Sequence, residues 1–451
     1  MSTTEIVSES LKNTFTDLLS PAPDVLASET ILDKVAAYLQ VTDLPDSRNE
    51  DWKYTDLRFL QKHKFSSGEN LDVTDLHRII YNIPTLNANQ LVFINGHFLP
   101  AFSRIISKKS DLVLTSLADA KIQHPLLFNQ YFESTGLYNK NFFAAFNTQN
   151  AANGLFLYVP ENKMVEHPVH IINFTDGNNK KTQSISRNLI VIDSNSQAQI
   201  IQTYHSLSVN FTFENTASEI ILMKNARLVY NMFQGEGNDA SQITNTIVKQ
   251  DTGSEFTSNC ITICGALVRN NLWVHLNGGQ AVSNLNGFYL PDREHHFENH
   301  VQIFHNVPDC ISNQLYKGII DNKAMAVFTG RIVVAKDAQK TNAFQSNKNV
   351  LLTPYARAKS RPQLEIYADD VKCSHGSSTG QIDADALFYM QSRGIGRSAA
   401  IGLLLNAYAK EVIEKIENEA FRNFVEFLIQ KRMDTEADTA DCTMIHHCQG
   451  C

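Results

Sequence analysis

The feature that most constrains this chain is its middle. From about residue 165 to about residue 384, short apolar runs follow one another with no sustained helical period: HIINF, NLIVID, EIILM, RLVYNMF, LWVHLN, VQIFHNV, MAVFTGRIVV and NVLLT. Clusters of asparagine, glycine, serine and aspartate such as DSNSQ, GEGND and NLNGF separate them. Short apolar runs bounded by turn formers read as strands. Roughly 200 residues of consecutive strands would make an unusual flat open sheet. A sandwich, a barrel or a parallel β-helix can hold them. The asparagine-rich turns and the lack of tight two-residue hairpins favour the β-helix, in which each coil buries its apolar face on the next. No exact repeat is present, so spacing alone leaves all three open.

Four regions follow from the pattern. Residues 1–160 read as an N-terminal helical and mixed region. In it SESLKNTFTDLLS and ETILDKVAAYLQ carry apolar residues at three- and four-residue spacing, with Ser28 placed to cap the second. A short helix is expected from Leu57 to about Lys64, and QLVFINGHFLP reads as a strand with a hairpin turn at Asn95–Gly96. Residues 161–382 form the β core. Residues 383–433 return to helix. Asp383 is placed to cap ADALFYMQSR, Gly394 to end it, and Ser398 to cap AAIGLLLNAYAKEVIEKI, where Ile401, Leu404, Leu405, Tyr408, Val412 and Ile416 share a face. A further amphipathic run, EAFRNFVEFLIQKR, completes a helical bundle. Residues 434–451 are first acidic and then rich in cysteine and histidine, and read as a flexible tail.

Composition removes some function classes. Net charge is −8 and no basic tract occurs, which leaves nucleic-acid binding without support. The first residues lack the charged and apolar regions of a signal peptide, and no apolar run approaches the roughly 18 residues of a membrane span. Seven cysteines without a regular framework point to free thiols in a reducing cytoplasm. No G-x-x-x-x-G-K-[ST] phosphate loop is present, so this chain is not expected to hydrolyse ATP alone. Nor is there a G-x-S-x-G elbow or an H-E-x-x-H pair.

The chemistry-bearing residues are few. In DDVKCSHGSSTG, Cys373 and His375 lie two apart on a predicted strand and so project to one face, close enough to share an ion. The preceding PQLEIYADDVKC reads as one strand with a turn-like interruption at Asp369–Asp370, and Gly376 is placed to end it. Two donors do not make a site, since zinc takes three or four protein ligands and iron–sulfur clusters usually four cysteines. The rest must come from elsewhere in the chain or from another chain. Asp292, Glu294 and Glu298 in PDREHHFENH are a dense carboxylate group of the kind that β-helical polysaccharide hydrolases pair. His295, His296 and His300 share that segment and read as partly exposed turn residues. On a strand, His300 and His305 would face opposite ways and make poor co-ligands. Cys260 and Cys264 read as buried structural thiols, with Cys310 similar. Cys442, His446, His447, Cys448 and Cys451 place five potential metal ligands in ten residues.

Taken together, the motifs resemble the SufB/SufD family of iron–sulfur cluster assembly scaffolds, on its SufD side. The residues that carry the likeness are SRNEDWKYTDL (Ser47 to Leu57), SNQLYKGIIDNKAMAVFTGRIVV, AQKTNAFQSNKNVLLT (Ala338 to Thr353) and PQLEIYADDVKCSHGSSTGQIDADALFYMQSRGI (Pro362 to Ile395). The resemblance implies a right-handed parallel β-helix flanked by N- and C-terminal helical regions. It implies a non-catalytic scaffold that pairs with SufB through the β-helix ends and with the SufC ATPase through the C-terminal helices. A transient iron–sulfur cluster would form at the SufB interface and pass to apo-proteins. Carried over onto K-C-S-H-G, His375 is the expected iron ligand and Cys373 a weaker one, and a half-site then makes sense because the partner supplies the rest. ATP-driven motion of SufC is expected to rearrange that contact, and no nucleotide is expected on this chain. Two other readings compete. One is a β-helical carbohydrate-active enzyme, although only Trp273 of the two tryptophans lies in the β region. The other is a metal-delivery protein acting through the Cys/His tail.

Overall fold

The computed structural model describes residues 24–434, except 59, 61–64, 68–82, 178–180 and 208–210. Its centre is a parallel β-solenoid of about seven turns. Successive strands alternate between two ten-stranded sheets, so neighbours within a sheet are every second strand in sequence. Arg227, for example, pairs with Gln197 on one side and Glu255 on the other. Because side chains alternate across a strand, in-register stacking turns one residue per coil into a continuous row. Ala198, Leu228 and Phe256 form one such inward row. The β-helix is therefore the option that stands, and the asparagines explain its corners. Asn162, Asn195 and Asn225 all have positive φ, a backbone region that asparagine tolerates better than most residues. Each amide also bonds the next, with Asn195 donating to Asn162 at 3.1 Å and Asn225 donating to Asn195 at 2.9 Å.

Seven α-helices flank the solenoid among the described residues. They are α1 (Glu29–Val41), α2 (Leu117–Gln123), α3 (Pro125–Tyr131), α4 (Phe142–Asn150), α5 (Ala384–Ser392), α6 (Arg397–Ile413) and α7 (Glu419–Asp434). Phe142, Phe143 and Phe146 of α4 pack with Phe213, Ile243 and Leu267 on the outer face of one sheet. On the other sheet, Ile201, Phe233, Ile261 and Ile319 are covered by Leu405, Val412, Phe421 and Val425 of α6 and α7. Asp383 caps α5 as expected, accepting from the backbone N–H of Asp385 and Ala386, and Gly394 ends it with φ +87°. Ser28 holds the N-cap position of α1 without a side-chain bond. The hairpin at Asn95–Gly96 is present, joining Asn89–Ile94 to His97–Phe98. Ser398 does not cap α6, because the helix already begins at Arg397 after Gly396. SESLKNTFTDLLS and most of the Leu57–Lys64 segment lie outside the described residues.

The segment that begins with Ser47 crosses the outer face of the α4 sheet. Trp52 is buried against Phe143 at 5.3 Å between ring centres, and the Arg269 guanidinium lies 3.7 Å over its indole. Arg269 donates to Thr55 Oγ1 at 2.7 Å and to the Asp51 carbonyl at 2.8 Å, and pairs with Glu298 at 2.7 Å. Thr55 in turn donates to Glu298 at 2.5 Å. Further along, Glu50 meets Arg361 at 2.5 Å on the last strand of that sheet. The W-K-Y-T element is thus a dock for the N-terminal region on the solenoid.

Candidate functional site at the open end of the solenoid

Both sheets finish on a strand with one neighbour only. Arg357–Ile366 pairs with Met325–Val334, and Val371–Gly380 pairs with Thr341–Leu351; among the described residues the other edge of each is free. The turn-like interruption at Asp369–Asp370 is therefore a corner between two strands rather than a break within one, since the chain leaves one sheet before it and joins the other after it. Gly376 does not end the strand, which runs on to Gly380.

Cys373 and His375 sit on this last strand, opposite Ala343 and Gln345. Ala343 and Gln345 are buried inward positions, so both candidates face the solenoid axis at its uncovered end. They share one face, as their spacing requires. His375 is exposed. Cys373 is a free, half-buried thiol beside the cluster of Ile332, Val334, Ala338 and Ala343, and burial pushes its pKa up. Less thiolate at neutral pH makes it the poorer metal ligand of the two. Beneath His375 the inward row reads Gln345, Gln314 and Leu285. Gln345 and Gln314 are buried, yet neither atom of either amide has a hydrogen-bond partner among the described residues. Gly330 makes room for the Gln345 amide, since a Cβ there would come within 1.6 Å of Nε2. Sequence reasoning passed over these glutamines. The available signal was a polar residue at each of two successive inward positions.

On the outside of the same sheet a groove of about 720 Å³ runs from Glu255 and Thr257 to Ser374 and Gly376, bordered by Lys415 and Glu417. Beyond it, α5 and the start of α6 are largely uncovered. Phe388, Tyr389 and Leu403 are 74%, 59% and 52% exposed, an unusual display of large apolar side chains.

The remaining candidates are not brought together. Asp292 is paired with Arg432 at 2.7 Å, Glu294 with Lys323 at 3.3 Å and Glu298 with Arg269, so the three carboxylates are held in separate ion pairs. Burial raises the Glu298 pKa, but the Arg269 guanidinium and bonds from His296 and Thr55 outweigh it and hold it at about 2. The expectation of partly exposed histidines holds for His296 and fails for His295 and His300. His295, His300 and His305 are buried, because this segment is a sheet corner under α7 followed by a strand under the N-terminal dock. Burial, with Arg269 adding to it at His300, lowers His300 to about 4, and burial lowers His305 to about 4. The two do face opposite ways, since His300 lies against Arg269 outside and His305 bonds Ser312 inside. Cys260 and Cys310 are buried free thiols, with burial pushing the Cys260 thiol up to about 12; Cys264 is buried too but disulfide-bonded, so the expected free thiol does not hold there. Trp273 is also buried. Cys442, His446, His447, Cys448 and Cys451 lie outside the described residues. No group of three or more His, Cys, Asp or Glu side chains that could hold a metal occurs among the described residues. The open end offers one good donor and one weak one, which is half of a coordination sphere.

Comparison with known proteins places the chain among relatives. The family model for the SUF system FeS cluster assembly SufBD core domain matches residues 174–408, and that for the SufBD protein N-terminal region matches residues 21–171. An iron–sulfur cluster assembly SufBD family protein of Synechocystis sp. is 30% identical over 382 residues, covering 83% of this chain and 84% of that protein. The iron–sulfur cluster assembly protein SufD of Escherichia coli is 28% identical over 395 residues, covering 87% and 90%. SufD of Bacillus subtilis is 24% identical over 422 residues, covering 89% and 93%.

Proposed function

This chain belongs to the SufBD family of the SUF iron–sulfur cluster assembly system, and from that premise we propose that it is the SufD-type, non-catalytic scaffold subunit of a cytoplasmic complex with SufB and the SufC ATPase. The observation that carries the reading is the coincidence of two things at one end of the molecule: free edges on both sheets, and His375 exposed on one of them. A free edge is a template for a further strand. A SufB edge laid there would continue both sheets and bring its own ligands to His375. Iron is the cargo at this point, and a neutral imidazole suits ferrous iron. Cys373 stands beside it as the weaker donor.

The C-terminal helical region, residues 383–433, is the docking surface for SufC, with Phe388, Tyr389 and Leu403 as its apolar contacts. Nucleotide hydrolysis belongs to that partner, whose motion would shift this subunit against SufB as a rigid body. No helix among the described residues is long and apolar enough to cross a membrane.

The test is anaerobic co-expression with SufB- and SufC-type proteins of the same organism, purified through a tag on this chain, for wild type and His375→Ala. The expected outcome is unchanged subunit stoichiometry with markedly less iron in the variant. Equal iron in both would make the strand structural only, and absence of an ATPase subunit would overturn the scaffold reading.

A further inference from the structure

We infer that the segment Glu50–Thr55 is a strap that orders the partner-binding edge of the solenoid, with Glu50 and Arg361 as its clasp. The inference rests on the reading of the open end as an interface, but its mechanism can be tested in the chain alone.

The geometry is a line of contacts across four neighbouring strands of one sheet. Arg269 and Glu298 are in register on Leu267–Leu276 and His296–His305, and both hold Thr55. One row further along the strands, Asn271, His300, Thr329 and Arg361 are in register on four successive strands. His300 and Thr329 are buried, and Arg361 is the half-buried end of that row. The strap enters over Arg269, where Trp52 and Thr55 anchor it in buried contacts, and reaches the last strand with Glu50. Arg361 donates there to the Glu50 carbonyl at 3.2 Å and to its carboxylate at 2.5 Å. Its guanidinium also lies 5.9 Å from the Tyr54 ring centre.

The two ends of this line differ in kind. The Arg269 end is buried. The Glu50 end is open, with the Glu50 side chain 76% exposed and Arg361 21%. Such a pair contributes little to global stability. It acts instead on the strand it touches. Arg357–Ile366 has a ladder on one side only, so its fraying is opposed by Met325–Val334, by the Arg331–Glu365 pair at 2.7 Å and by the clasp. Edge strands open locally at low cost. A clasp that suppresses this opening presents the partner with a pre-ordered edge, so less ordering is left to occur on binding.

The experiment is hydrogen exchange on the full chain, free and in complex, for Glu50→Gln, for Arg361→Glu and for the charge exchange Glu50→Arg with Arg361→Glu. In the free chain, amides of residues 357–366 should exchange about two- to fivefold faster in each single variant, the size expected for losing one exposed ion pair. Protection should return in the charge exchange, while the thermal midpoint stays put throughout. High salt should reproduce the single-variant pattern in wild type. Unchanged exchange of 357–366 in Glu50→Gln, or no recovery in the charge exchange, overturns the clasp. Subunit stoichiometry in the co-expression separates the two claims. Loss of clasp effects with SufB still bound refutes only the strap, whereas normal clasp effects without SufB binding refute the interface.

Discussion

Buried carboxylates in this protein are stabilised in two different ways. Glu298 has Arg269, and Glu133 and Glu219 share Arg187. Glu214 and Glu236, inside the solenoid, have hydroxyl partners instead. Thr216 donates to Glu214 at 2.8 Å, while Ser206 and Thr175 donate to Glu236 at 2.5 and 2.6 Å. The second oxygen of each carboxyl has no hydroxyl or amide partner among the described residues. Burial pushes both pKa values up, and the nearby Glu236 charge drives Glu214 well above the ordinary range. A proton held between them satisfies the geometry. The folded chain then keeps protons that the unfolded chain releases above about pH 4.5, so stability falls as pH rises beyond that value until the folded pKa values are passed. Urea unfolding at pH 5 and pH 8 checks this. Glu214→Gln should flatten the pH dependence and gain about 1–3 kcal/mol over wild type at pH 8. Equal slopes for both proteins would mean the pair carries no proton. At this scale much was legible, since the two-residue spacing of Cys373 and His375 put them on one face. The state of Glu214 and Glu236 was not, because 22 residues and a sheet change separate them.

Elements are joined to the solenoid by buried arginines as much as by apolar surface. Arg187 on strand Thr182–Ile192 binds Glu133 at 2.6 Å and Glu219 at 2.7 Å, and donates to Thr148 on α4 at 3.2 Å. Glu219 also accepts from the backbone N–H groups of Glu133 and Thr135. Arg187→Met would strand two carboxylates in a dry site and should cost about 3–5 kcal/mol in chemical unfolding. A loss near zero would show that the α4 packing alone holds the N-terminal region. Local signals did mark elements well: Asp383 and Gly394 bracket α5, and the turn asparagines bracket coils. The interruption at Asp369–Asp370 was legible, but its change of sheet was not, because nothing in the spacing distinguishes a bend within a strand from a step between sheets. The strap escaped for a related reason. Trp52 finds its cation 217 positions away, at Arg269.

The whole molecule is a rod with a helical flank and an open end. Its apolar display on α5 and α6 lies on the flank, so the two proposed docking functions are separable. Phe388→Ser with Tyr389→Ser should abolish co-purification of the ATPase subunit, leave SufB bound and leave the thermal midpoint unchanged, since neither side chain is part of a buried cluster. Retained ATPase would place its dock elsewhere. Residues in order along the chain already specify strands, turns, caps and the absence of a phosphate loop, because those depend on neighbours a few positions apart. They also carry the family likeness, because the motifs are contiguous. Only the folded solenoid decides that each last strand has a neighbour on one side alone among the described residues, that His375 stands over two glutamines with no hydrogen-bond partner among those residues, and that His300 is buried. Each of these depends on which coil lies next to which, and stacking brings together residues about 30 or more positions apart, beyond the reach of any local pattern.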